Sequence, residues 1–169
     1  MASSSPLVDA KERLSEEYKV WKVHHPKGFI AEPQKDEGGI LDLLHWKCAI
    51  PGMDKVQSLH MTPWAGGSYK LTVNFPNDYP YSPPKCKFCP PIFHPNVFPS
   101  GTVSLSLIDK EHGWKPQTTL KEVLVGIQLL LSDPNFDNPA QAEASAVYFN
   151  SPSDYENRVV CQAKEMALK

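Results

Sequence analysis

Ser104 closes a segment whose residue types suit chemistry more than packing. The segment runs from Tyr79-Pro80-Tyr81-Ser82-Pro83-Pro84-Lys85-Cys86-Lys87-Phe88 to His94-Pro95-Asn96-Val97-Phe98-Pro99-Ser100-Gly101-Thr102-Val103-Ser104. Eight of the chain's 17 prolines fall between Pro76 and Pro99. Each fixes its own φ and turns the preceding residue away from helix, so side chains are held without regular hydrogen-bonded structure. A serine hydroxyl becomes a nucleophile only beside a general base, and no Gly-x-Ser-x-Gly elbow surrounds Ser104. His94 reads as a structural imidazole bracing the loop rather than as an acid or base. Lys85 and Lys87 alternate on an extended stretch, so both can point from one face. Cys86 and Cys89 have the spacing of a metal or redox pair. Neither reading is strong, because no second Cys or His pair stands at ligand spacing and no βαβ unit opens there. In an extended chain the two also face opposite sides, so buried or half-buried thiols are expected.

The elements that must position these residues are legible from periodicity and punctuation. Ser5-Pro6 starts a helix on which Leu7, Ala10, Leu14, Tyr18 and Trp21 share one face, and His25-Pro26-Lys27-Gly28 ends it. Strand-like runs follow at 29–31, 40–50 and 69–75; the last turns Tyr69, Leu71, Val73 and Phe75 inward. Asp36-Glu37-Gly38-Gly39 and Pro51-Gly52 are the turns between them. Beyond the proline-rich segment the pattern is helical. Thr119-Leu120-Lys121-Glu122 is a capping box ahead of a stripe of Leu120, Val123, Leu124, Ile127, Leu130 and Leu131. Asn138-Pro139 opens a helix over 140–148, and Ser151-Pro152 opens a last one with Tyr155, Val159, Ala163 and Met166 on one side. Trp46, Trp64 and Trp114 read as core or loop anchors. The layout is α+β in a single domain, 6–169, after a flexible leader, 1–5.

Composition narrows the function classes. The 169 residues carry a formal charge of −2, which gives no global attraction to nucleic acid or to an acidic membrane. No apolar run approaches the ~20 residues of a membrane span. The first residues lack a signal peptide's basic-then-apolar order. The four cysteines, Cys48, Cys86, Cys89 and Cys161, are therefore expected as reduced thiols of a nuclear and cytoplasmic protein.

His-Pro-Asn at 94–96 resembles the active-site segment of the ubiquitin-conjugating enzyme family. Other pieces resemble its SUMO-conjugating branch: His25-Pro26 with Gly28-Phe29, Trp46-Lys47-Cys48-Ala49-Ile50-Pro51-Gly52, Thr62-Pro63-Trp64-Ala65-Gly66-Gly67, and Asn138-Pro139-Ala140-Gln141-Ala142-Glu143-Ala144. The last favours SUMO over ubiquitin. The resemblance spans about Lys11 to Ala167 and implies the family's α+β fold: an N-terminal helix, an antiparallel meander of about four strands, an irregular active-site segment and C-terminal helices. It implies a transferase that takes a SUMO-like modifier from an activating enzyme as a thioester and passes it to substrate lysines, with SUMO ligases as helpers. Substrates would present a hydrophobic–Lys–x–Glu motif. No cofactor is implied, since ATP is used by the activating enzyme, and a monomer without nucleic-acid or membrane partners is expected.

The same resemblance assigns residues. Ser104 stands where the family carries its nucleophilic cysteine. Two accounts of it stand: a Cys-to-Ser exchange that traps an oxyester or stops turnover, or a naturally inactive relative that binds without transferring. Asn96 is expected to supply an amide to the oxyanion formed when lysine attacks. Phe98 replaces a usual Tyr beside the incoming lysine. Asn138 stands where an aspartate commonly orients that lysine; Asp137 could substitute if the loop shifts by one place, and Asn before a helix-starting proline is also an ordinary N-cap. Lys85, Lys87, Ser100 and Thr102 match positions that read the acidic residue of the substrate motif. Lys19 and Lys22 remain of a basic first helix that docks the modifier and the activating enzyme, diluted here by Glu16, Glu17, Tyr18 and Val23. An insertion over about 53–61 lengthens a turn, where extra length costs little. Rival readings are a conjugating-fold adaptor without activity and a conjugating enzyme for ubiquitin or another modifier.

Overall fold

The computed structural model describes residues 5–56 and 60–168. Helix α1 spans Pro6–His24. Its Ser5 hydroxyl accepts the Val8 N–H, and Pro6 sits at the first position, where a missing N–H does no harm. Ala10, Leu14 and Trp21 bury one face, while Leu7 stays over a third exposed and Tyr18 is half-buried. The leader over 1–4 and the tip of the insertion, 57–59, lie outside the described residues.

Six strands follow: β1 Ile30–Lys35, β2 Leu41–Pro51, β3 Lys55–Val56, β4 His60–Met61, β5 Ser68–Asn74 and β6 Lys85–Phe88. Four form an antiparallel sheet in the order β1-β2-β5-β6, and β3-β4 is a separate hairpin built from the insertion. The turn over 36–39 is fixed by the Asp36 carboxylate, which accepts the Gly38 and Ile40 N–H groups. Alternation holds on β5, where Tyr69, Leu71 and Val73 are buried. The stretch 85–88, expected to be irregular, is a short strand. Its register pairs Cys86 with Val73 and Lys87 with Thr72, burying Cys86 and Phe88 and leaving both lysines outside. Burial pushes the Cys86 thiol up to about 12, so it remains protonated at neutral pH. Cys89 is exposed, which corrects the expectation of a buried or half-buried thiol there; Cys161 is exposed as well.

Helix α2, Leu120–Ser132, buries Leu120, Val123, Leu124, Ile127, Leu130 and Leu131 in the same core as the sheet. At about 1.5–3 kcal/mol for each large apolar side chain, this stripe anchors the helix. Glu17 of α1 ties the layers together: its carboxylate accepts the Leu120 N–H at 2.7 Å and the Tyr79 hydroxyl, and it pairs with Arg13 at 3.1 Å. Tyr79 stacks edge-on against Phe75, and the Trp114 indole N–H reaches the Pro80 carbonyl at 2.9 Å. The start of the proline-rich segment is thereby fastened. Helices α3, Ala142–Asn150, and α4, Pro152–Glu165, close the fold.

Candidate active site

His94 organises the turn that holds Ser104. The ring is fully buried beside Trp64. Its Nδ1 accepts the Asn96 N–H at 2.9 Å, so Nε2 carries the proton and donates to the Leu130 carbonyl at 2.8 Å. Burial holds its pKa down to about 4, against the opposing pull of the Leu130 and Leu131 carbonyls. The imidazole is therefore neutral and fixed in one tautomer. It braces the loop and offers no free nitrogen for proton transfer.

From Asn96 the chain folds back on itself. The Ser104 N–H donates to the Asn96 carbonyl at 2.8 Å, the Phe98 N–H to Thr102 at 2.9 Å, and the Val103 N–H to Cys86 of β6 at 3.0 Å. Gly101 makes the return possible. Its φ is +97°, and a Cβ there would stand 2.2 Å from the Phe88 carbonyl oxygen.

The Asn96 side chain is engaged as a clamp. Its Oδ1 accepts the Asn135 N–H at 2.8 Å and its Nδ2 donates to the Asn135 carbonyl at 2.6 Å. The second Nδ2 proton meets no partner among the described residues. Asn135 Oδ1 in turn accepts the Asp137 N–H at 2.9 Å. Farther on, the Ala140 and Gln141 N–H groups both reach the Pro95 carbonyl, and the Gln141 amide spans the Ile92 and Val97 carbonyls. These bonds hold the chain off the helical path, so α3 starts at Ala142 after Gln141. Asn138 is consequently not its N-cap.

Ser104 is half-buried in an open groove of about 540 Å³. Phe98, Asn138, Lys85 and Thr102 line it with Leu105 and Asp109. Asn138 is thus brought to Ser104's groove, whereas Asp137 is exposed and does not line it. Lys87 and Ser100 stand beside the groove: Lys87 bridges to Thr102 across the backbone, and the Ser100 and Thr102 hydroxyls lie 3.0 Å apart. Lys19 and Lys22 sit on α1, where Lys19 pairs with Glu16 at 2.9 Å and the Lys22 ammonium caps the Tyr18 ring.

The sequence reading missed the far wall, formed by Asp109, Lys110 and His112. The His112 Nδ1 lies 2.9 Å from an Asp109 carboxylate oxygen. Lys110 donates to the Ser82 hydroxyl, which donates to Asp78. Aspartate and histidine three apart in a turn carry little sequence signal, since such pairs are common on surfaces. The groove presents the Ser104 hydroxyl, the Asn138 amide, the aromatic wall of Phe98 and the Lys85 ammonium, while the buried Asn96 is not among the residues that line it.

The model of the family described as ubiquitin-conjugating enzyme matches residues 13–163. The chain belongs to the ubiquitin-conjugating enzyme family. It is 50% identical over 160 residues to the SUMO-conjugating enzyme UBC9 of Caenorhabditis elegans, covering 95% of this chain and 93% of that protein. It is 46% identical over 156 residues to the SUMO-conjugating enzyme SCE1 of Arabidopsis thaliana, covering 92% and 94%. The helix, four-stranded antiparallel sheet and C-terminal helices agree with the α+β fold expected from the sequence.

Proposed function

We propose that this chain is a SUMO-conjugating transferase in which the Ser104 hydroxyl takes the acceptor's place, so that the modifier is carried as an oxyester. The observation that carries the reading is Ser104 itself, fixed by its N–H on the Asn96 carbonyl and opening into the groove with Phe98 and Asn138. In the first transfer the Ser104 Oγ attacks the modifier's C-terminal thioester carbonyl on the activating enzyme. The C–S bond breaks, and the hydroxyl proton passes to the departing sulfur. In the second, a substrate lysine amine attacks the oxyester carbonyl, the C–Oγ bond breaks, and an isopeptide forms.

We assign the remaining Nδ2 proton of Asn96 as the donor for the oxyanion formed when lysine attacks. Lys85, Lys87, Ser100 and Thr102 face the acidic residue of a hydrophobic–Lys–x–Glu substrate, and the aromatic wall of Phe98 guides the lysine stem. Lys19 and Lys22 contribute to docking of the modifier and the activating enzyme. SUMO ligases assist, and the chain acts as a monomer without a cofactor of its own. The reduced thiols suit the nucleus and cytoplasm, where we place its action.

Oxygen makes the reaction slow. A thiol with pKa about 8.5 supplies thiolate at neutral pH, whereas a hydroxyl supplies almost no alkoxide. The test is incubation with SUMO, its activating enzyme and ATP, with ubiquitin and its activating enzyme run in parallel. A SUMO adduct on Ser104 that survives thiol reductant and is cleaved by hydroxide is expected. An adduct with ubiquitin alone would reassign the modifier. Adducts with neither, even after Ser104→Cys, would leave the adaptor reading.

A further inference from the structure

An oxygen leaving group needs a proton that a thiolate does not. Among the described residues lining the Ser104 groove, the titratable and charged ones are Lys85 and Cys86 on β6, and Asp109, Lys110 and His112 on the opposite wall. Cys86 is a buried thiol, and Lys110 is turned onto Ser82. Asn138 lines the groove as a neutral amide, which cannot take up a proton. Asp109 and His112 are what remain.

Their geometry is that of a prepared base. An ionised carboxylate only accepts hydrogen bonds, so His112 donates its Nδ1–H to Asp109 at 2.9 Å, a tautomer that leaves the Nε2 lone pair of the uncharged ring free. Asp109 is itself fixed: its other oxygen accepts the Glu111 N–H at 2.9 Å. That bond first, and His112 second, hold its carboxyl below the usual range, so it is ionised at neutral pH. The His112 side chain is largely exposed on the groove that Ser104 lines, and its loop is tied down beside the nucleophile's. After the turn Ser106–Ile108, the N–H groups of His112, Gly113 and Trp114 all converge on the Asp109 carbonyl. Gly113 then packs so tightly on Ser106, two residues past Ser104, that a Cβ would fall 2.5 Å from the Ser106 oxygen.

We propose that His112, oriented by Asp109, is the proton-transfer residue of this groove: its Nε2 takes the proton released by the attacking lysine nitrogen and returns it to Ser104 Oγ as the C–O bond breaks. One proton moves from nitrogen to oxygen through the imidazole, and nothing is consumed. This rests on Ser104 being the acceptor. It also gives a serine at this position the base that the surrounding sequence motif does not.

The test is single-turnover discharge of the SUMO oxyester of the full chain to free lysine, followed from pH 5.5 to 8.5. His112→Gln should slow discharge by about 10²-fold, the lower range for a lost general acid–base. It should also flatten the pH dependence of discharge. Asp109→Asn keeps the acceptor for Glu111 but frees the ring tautomer, and should give a smaller loss. In the Ser104→Cys chain, His112→Gln should cost clearly less than on the serine background, because the thiolate leaves unprotonated and only the lysine proton still needs the imidazole. Parent-like rate and pH profile in His112→Gln, or equal losses on the serine and cysteine backgrounds, would overturn the proposal. Absence of any oxyester on the parent chain would overturn the reading of Ser104 first. That result is distinguishable, because it appears without any change at His112.

Discussion

Acidification should loosen the active-site turn through one residue, His94. The buried ring is neutral in the folded protein with a pKa of about 4, whereas an unfolded histidine titrates near 6.5. Between these values the unfolded chain binds a proton that the native chain refuses, so stability is complete above pH 6.5 and falls as the pH drops toward 4. The gap of about 2.5 units corresponds to roughly 3 kcal/mol in full, of which about 2 kcal/mol is lost between pH 7.5 and 5.0. A protonated ring cannot accept the Asn96 N–H, so the Asn96–Asn135 clamp should weaken over the same range. Urea denaturation at half-unit steps from pH 7.5 to 4.5 measures the loss, with His94→Gln as comparison. That variant keeps a donor and an acceptor but has no titration; it should be less stable at pH 7.5 and show a slope shallower by about 1 kcal/mol per pH unit below 6. Parallel slopes for the two proteins would refute the reasoning.

Two further substitutions probe the groove directly. Asn96→Ala removes both bonds to Asn135; since Asn135 is itself exposed and can turn to water, the stability loss should be only about 1–2 kcal/mol by denaturant titration. Discharge to lysine should nevertheless drop about 10²–10³-fold, and a drop below tenfold would remove Asn96 as an oxyanion donor. Asn138→Asp places a carboxylate on the groove wall. At about 1 kcal/mol for a solvated ion pair it should lower KM for free lysine roughly fivefold, and an unchanged KM would show that the lysine enters elsewhere.

Local signals made most of the scaffold legible. Ser5 and Thr119 cap the helices they were expected to start, because their hydroxyls act on N–H groups three residues away. The α2 stripe and the alternation of β5 are periodic and needed no partner to be seen. What escaped depends on distant chain. Strand β6 hides within prolines and forms only because β5 offers a free edge. The start of α3 moves from 140 to Ala142 because the Pro95 carbonyl captures two N–H groups of the approach. Of Asp137 and Asn138, between which the sequence left the choice open, Asn138 lines the groove. The Asp109–His112 pair was invisible because its meaning lies in which groove it faces.

Acceptance of the modifier by the Ser104 oxygen is read by mass spectrometry of the parent chain after incubation with SUMO, its activating enzyme and ATP, with peptide mapping of the adduct. A single SUMO on Ser104, stable to thiol reductant and released by hydroxide, is expected. An adduct confined to an exposed cysteine or a lysine, with the Ser104 peptide unmodified, would contradict it.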